Sequence, residues 1–163
     1  MNVKIEFYFF HRQIFLIKYK KLTYTKKYKL VNVLSKQIKL YLMLKVLVVE
    51  DEVELLELYD LILSKNYKVF TTDSGREAIN IIDRENPEIL IVDIRLPDLS
   101  GIEVTKYAKA KNLNVVVIGV SAYRERFKEA IDAGAATVIQ KPFLIKQIHE
   151  VIEGVLQKKQ KSF

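Results

Sequence analysis

At 163 residues with a hydrophobic fraction of 50%, the chain is long enough for one ordinary domain with its own core and too short for two comfortable ones. The absence of cysteine excludes disulfides, thiolate metal sites and a cysteine nucleophile, and with no sign of an oxidising compartment a cytoplasmic protein is expected. The net charge of +7 does not mark the whole chain as a nucleic-acid binder: residues 1–42 hold ten Lys or Arg and one acid, leaving 17 basic against 19 acidic side chains, or −2, in the remainder.

Residues 1–42 also hold nine of the seventeen aromatic residues and neither Gly nor Pro. Their most apolar stretch, FYFFHRQIFLI at residues 7–17, is cut by His11 and Arg12. It is too short to cross a bilayer and too interrupted for a secretory signal. A basic aromatic tail can bind nucleic acid or an anionic membrane surface in one reading, or serve as a structured partner arm in another. In a third, it lies outside the working protein: the only methionines are Met1 and Met43, and Met43 immediately precedes LKVLVVEDE. The third reading is the expectation, with residues 1–42 an N-terminal extension and one domain over residues 43–160, no membrane span, and no nucleic-acid partner.

From Lys45 onward, short apolar runs alternate with helical patterns. Lys45–Val49 reads as a strand, followed by a helix over residues 53–66 in which Val53, Leu56, Tyr59 and Leu63 form one stripe. Lys68–Thr72 is a second strand. Asp73 or Ser74 can cap a helix from Gly75 to about Glu85, which Pro87 ends. Ile89–Asp93 is the third strand, Gly101 to about Ala110 a helix, and Val115 to Ser121 the fourth strand. The next helix, Arg124 to Ala133, meets Gly134, which tolerates the left-handed conformation that stops it. Thr137–Gln140 is a short fifth strand and Leu144 to about Gln157 a closing helix. Continuous aliphatic strands alternating with helices predict an α/β fold, a doubly wound parallel sheet covered on both faces.

In such open sheets, ligands bind at the carboxyl ends of the strands, where the winding reverses. Glu50 and Asp51 follow the first strand, Asp93 ends the third, Ser121 ends the fourth and Lys141 follows the fifth. A serine or lysine at a strand end is ordinarily a solvated loop residue; five polar residues at one edge form a constellation. Three carboxylates at −3 are balanced by Lys141 and one divalent cation. All-oxygen ligands that leave room for waters and phosphate oxygens suit Mg2+ better than Ca2+. Asp93 is then a candidate nucleophile toward phosphorus, with Ser121 able to bond a phosphoryl oxygen. The five scattered glycines form neither a P-loop nor a dinucleotide fingerprint.

From Lys45 to about Gln157 the chain resembles the response-regulator receiver domain of two-component signalling. The resemblance rests on VVEDE for the acid pair, IVDIRLPDLSG for the phosphoacceptor strand and loop, VIGVSA for the switch hydroxyl, and GAATVIQKPF for the lysine segment. Asp93 lies 42 residues after Asp51, 28 before Ser121 and 48 before Lys141, and it is this order and spacing that make the signal specific. The resemblance implies a flavodoxin-like strand order 2-1-3-4-5 and a phosphoryl group accepted on Asp93 from a histidine kinase or histidine phosphotransfer protein. It implies Mg2+ held by Asp51, Asp93 and the carbonyl of Arg95, with Glu50 assisting. Ser121 would bond the phosphoryl group and carry the conformational change. Lys141 would contact another phosphoryl oxygen, Pro142 would follow a cis peptide, and Pro97 and Gly101 would shape the neighbouring loop. Such a protein is not an enzyme beyond Mg2+-dependent self-phosphorylation and autodephosphorylation.

Two positions depart from the family pattern: Val138 stands where a switch Tyr or Phe is usual, and Ala136 where Asp usually follows Gly-Ala. Neither contacts the phosphoryl group in that pattern, so the chemistry is expected to survive and the readout to differ. The chain ends in QKKQKSF after the closing helix, which resembles a stand-alone receiver that signals by docking to a downstream protein. The alternatives are a receiver truncated from a DNA-binding regulator and a nucleic-acid or membrane binder regulated by its receiver. A dehalogenase-type phosphatase would need an acid where Arg95 stands, and a pseudo-receiver usually loses the acid pair or the lysine. His11 and His149 lie in no pattern that marks a phosphorylated histidine.

Overall fold

β-branched and aromatic side chains pack well on a pleated surface, and the strands of this chain are rich in them. The computed structural model describes residues 6–10, 13–17 and 43–160, and the chain divides into two units, Met1–Met43 and Leu44–Phe163. In the first, β1 (Glu6–Phe10) and β2 (Gln13–Ile17) pair antiparallel, with Phe10 opposite Gln13. The apolar stretch at residues 7–17 thus supplies two short strands. The nucleic-acid, membrane and partner-arm readings of the rest of the leader lie outside the described residues. Among the described residues, no helix is long and apolar enough to cross a membrane.

The second unit runs β3 (Lys45–Val49), α1 (Val53–Leu63), β4 (Lys68–Thr72), α2 (Gly75–Glu85), β5 (Ile89–Asp93), α3 (Gly101–Lys111) and β6 (Val116–Ser121). A 3-10 turn at Arg124–Arg126, α4 (Phe127–Asp132), β7 (Thr137–Gln140) and α5 (Ile145–Gln160) complete it. The strands form one parallel sheet in the order β4-β3-β5-β6-β7, which is the expected 2-1-3-4-5. Side chains alternate across a strand, so each strand feeds two cores. Leu47, Val49, Leu90, Val92 and Val117 pack under α2, α3 and α4 through Ala78, Ile82, Ile102, Ala108 and Ala130. Val46, Val48, Ile91, Ile118 and Ile139 pack under α1 and α5 through Tyr59, Leu63, Ile148 and Ile152. The doubly wound architecture follows directly: both faces of β3, β5 and β6 are buried, and only helices can cover them.

Several boundaries differ from the sequence reading for local reasons. Helix α1 stops at Leu63 because Asn66 and Tyr67 turn back to the Leu63 carbonyl. Its stripe begins later than expected, since Val53 at its first turn is 56% exposed while Tyr59 and Leu63 are buried. Ser74, not Asp73, caps α2 by accepting the Glu77 N–H, and the helix closes on Asn86 in the left-handed conformation, φ 46°. Strand β6 begins at Val116; the Val115 N–H instead closes a turn on the Asn112 carbonyl. The helix expected over residues 124–133 starts as a tight 3-10 turn in which the Arg126 N–H bonds the Tyr123 carbonyl, leaving six α-helical residues. Gly134 follows with φ 109°, as expected of a glycine stop.

Candidate functional site

The register of the sheet brings the acids together. Val49 of β3 lies opposite Val92 of β5, so Glu50 and Asp93 emerge from adjacent strands at the same carboxyl edge. The Glu50 N–H extends the ladder to the Thr72 carbonyl at 3.1 Å, and the Ile94 N–H extends it to Val120 at 2.9 Å. Glu50 is buried, whereas Asp51 is exposed. At the other end of the edge, Ser121 pairs with Gln140, and the Lys141 N–H bonds the Ser121 carbonyl at 2.9 Å. The peptide between Lys141 and Pro142 is cis, as the sequence resemblance implied.

Lys141 is the hub of the site. Its Nζ donates to Glu50 Oε1 and Asp93 Oδ2, both at 2.7 Å, and to Glu52 Oε1 at 3.2 Å. The lysine and the two inner carboxylates are largely removed from water, where such pairing is stronger than at a surface. Burial pushes the Glu50 carboxyl up to about 7, partly offset by the hydrogen bond and charge of Lys141, and the neighbouring Asp93 charge adds to the rise. For Lys141, burial acts to lower the ammonium pKa, but its bonds to Asp93 and Glu50 more than reverse this and leave it raised. The hub therefore stays cationic throughout the physiological range.

Carboxylate oxygens of Glu50, Asp51 and Asp93 lie within 4.8 Å of one another. Glu50 Oε2 is buried without a hydrogen-bond partner, a state costly enough to call for a proton, a water or a cation. The donor set is all oxygen, the chemistry of a hard divalent ion. Asp93 Oδ1 accepts the Arg95 N–H at 2.7 Å, which fixes the carboxylate against the loop that follows it. Gly101 closes that loop: its N–H bonds the Ile94 carbonyl at 3.1 Å, and a Cβ there would overlap the Asp93 carbonyl oxygen. Above the acids opens a cleft of about 400 Å³ lined by Asp51, Asp93, Arg95, Pro97, Tyr123 and Lys141, among others.

Of the residues singled out in the sequence, Glu50, Asp51, Asp93 and Lys141 converge, and Arg95 adjoins them through its backbone. Ser121 is beside them by backbone, but its hydroxyl is engaged locally, accepting the Tyr123 N–H at 3.0 Å. Val138 is half-buried in β7, opposite Gly119. Four further residues in and around the site were not assigned to it by the sequence reading. Glu52 reaches Lys141, and Tyr123 lies under the Arg95 guanidinium at 4.6 Å. Tyr59 is buried beneath the site without a hydroxyl partner. Asp98 bonds the start of α2. Only the third acid of VVEDE carried a signal in the sequence; the others depend on contacts between distant segments.

The model of the response regulator receiver domain matches residues 46–153. The chain belongs to the response-regulator receiver family. The receiver is 31% identical over 115 residues to sporulation initiation phosphotransferase F of Bacillus subtilis, covering 69% of this chain and 93% of that protein. It is 33% identical over 119 residues to the polar-differentiation response regulator DivK of Brucella ovis, covering 68% and 94%. A solved CheY-like receiver domain protein from Methanospirillum hungatei superposes with a TM-score of 0.70 at 27% identity, over 74% of this chain and 99% of that one. Receivers are the phosphoacceptor modules of two-component and phosphorelay systems, and this one retains the acid pair, Asp93 and the lysine, with Lys141 bonded directly to Glu50 and Asp93.

Proposed function

We propose that Asp93 is the phosphoacceptor and that its donor is a phosphohistidine on a histidine kinase or histidine phosphotransfer protein. A carboxylate oxygen of Asp93 attacks phosphorus, an O–P bond forms as the P–N bond to the donor imidazole breaks, and the imidazole takes up a proton as it leaves. Phosphorylation replaces one negative charge with about two. Lys141, already 2.7 Å from Asp93 Oδ2, offsets part of that increase. The carboxylates of Glu50, Asp51 and Asp93 and the carbonyl of Arg95 would hold Mg2+, and the unpartnered Glu50 Oε2 supports this assignment. When bound, Mg2+ would supply charge neutralisation at the phosphoryl oxygens. The Ser121 hydroxyl would exchange its contact with Tyr123 for a phosphoryl oxygen and release the turn before Arg124. Output would then pass to a downstream protein through α4, β7 and α5 without an aromatic gate, because Val138 is too small to swing as a ring does. A cytoplasmic location fits this chemistry.

The observation that carries the reading is the Lys141 ammonium bonded at once to Glu50 and Asp93, within a cluster of three carboxylates at one sheet edge. Incubation with acetyl phosphate and Mg2+ should add one hydroxylamine-labile phosphoryl group, the signature of an acyl phosphate. EDTA or Asp51→Ala should cut its formation at least tenfold, while Lys141→Ala should leave an adduct that fails to engage the downstream partner. Unaltered adduct formation in EDTA would contradict the metal assignment.

A further inference from the structure

The loop between β5 and α3 carries Arg95 at one end and reaches Asp98 at its tip. Asp98 Oδ1 accepts the Gly75 N–H at 2.9 Å, while Oδ2 accepts the Arg76 N–H at 3.0 Å and the Ser74 hydroxyl at 2.7 Å. Both oxygens are thus used, and two of the three bonds come from backbone donors of the first turn of α2, whose orientation the helix fixes. A second observation ties the same two segments: a Cβ on Gly75 would overlap the Leu99 carbonyl, so helix and loop tip are in direct contact. Ser74 is itself held, its N–H bonding Thr72 Oγ1 at the end of β4 at 3.2 Å. The Ser74 hydroxyl accepts only the Glu77 N–H, so Asp98 both completes the α2 N-terminus and ties it to the loop.

The loop is therefore fastened twice. Gly101 closes its base over Asp93, and Asp98 pins its tip to α2. Between Asp93 and Asp98 lie Arg95, whose N–H bonds Asp93 Oδ1, and Leu96 and Pro97, which line the cleft. We infer that Asp98 is a positioning residue for the metal site: by anchoring the loop tip to the α2 N-terminus it sets where the Arg95 backbone stands relative to Asp93. This rests on the reading of Arg95 as a metal ligand, and it adds a residue that touches neither metal nor phosphoryl group.

The test is Mg2+ binding by calorimetry on the full chain, without phosphodonor, for the unmutated protein, Asp98→Ala, Asp98→Asn and Tyr107→Phe. Tyr107 joins α3 to α2 through Asp83, so its loss loosens the same helix away from the loop. Asp98→Ala should weaken the Mg2+ Kd at least threefold, with Asp98→Asn in between because one carbonyl acceptor remains. Tyr107→Phe should leave Kd unchanged even where it lowers the thermal midpoint. An unchanged Kd in Asp98→Ala, with Asp93 still phosphorylated, would overturn this inference alone. Failure of the unmutated protein to bind Mg2+ would overturn it together with the metal assignment.

Discussion

Glu50 shows what the fold imposes on a single side chain. It ends an aliphatic strand, is 1% exposed, and offers one oxygen to Lys141 and the other to nothing among the described residues. Its folded-state pKa of about 7 lies above the ordinary 4.5. Between those values the folded form keeps a proton that the unfolded form has lost, so stability falls as pH rises from about 4.5 to about 7 and levels off above. Glu50→Gln, which imitates the neutral acid, should remove that slope. In metal-free buffer its stability should exceed that of the unmutated chain by an amount on the order of 2 kcal/mol at pH 8 and match it near pH 4.5. Thermal or urea denaturation across that range checks it; a variant less stable at pH 8 would show that the Lys141 bond outweighs burial. The residue also explains why a strand this apolar ends in a charge. Its rigid, dry stem aims the carboxylate, and a cation is then required to keep it ionised.

At the scale of elements, the glycines separate positions that build the site from positions that do not. Gly101 opens α3, where a side chain would overlap the Asp93 carbonyl, whereas Gly154 lies within α5 with nothing within 4 Å of its Cβ position. Gly154→Ala should stabilise the domain by about 0.5–1 kcal/mol through helix propensity alone. Gly101→Ala should destabilise it by about 1–3 kcal/mol, the cost of forcing extra volume into a packed region, and should slow phosphorylation because the overlap displaces Asp93 itself. Paired urea melts and adduct formation rates distinguish the two. The elements differ in how much of them was legible. Strands β3, β5 and β7 and their terminal acids or lysine were visible because an apolar run interrupted by a charge is a local pattern. The split of the fourth helix into a 3-10 turn and six α-helical residues was not, because a 3-10 turn and an α-helix begin from the same sequence pattern. Asp98 read as a loop residue, since its partners on α2 lie 22 and 23 residues away.

For the molecule as a whole, the charge distribution and the contacts divide the chain near Met43. Residues 1–42 carry +9 while the remainder carries −2, and Met1–Met43 clusters apart from Leu44–Phe163. A chain beginning at Met43 is expected to fold with an unchanged thermal midpoint and to accept phosphate at the same rate; unfolding or loss of phosphorylation on truncation would make the leader part of the working domain. The sheet order was implied by the family resemblance, whereas the converging acids followed from one rule, that parallel α/β sheets place their sites at the carboxyl edge. The orientation of the Ser121 hydroxyl did not follow from it, because the Tyr123 backbone competes for that hydroxyl and only the folded loop decides the outcome. The central claim is that Asp93 carries the phosphoryl group, and borohydride reduction of the acetyl phosphate-treated protein tests it most directly, since it converts an aspartyl phosphate to homoserine. Peptide mass mapping should place homoserine at position 93 in the unmutated chain and nowhere in Asp93→Asn. Homoserine at another position, or a full hydroxylamine-labile adduct persisting in Asp93→Asn, would contradict the account.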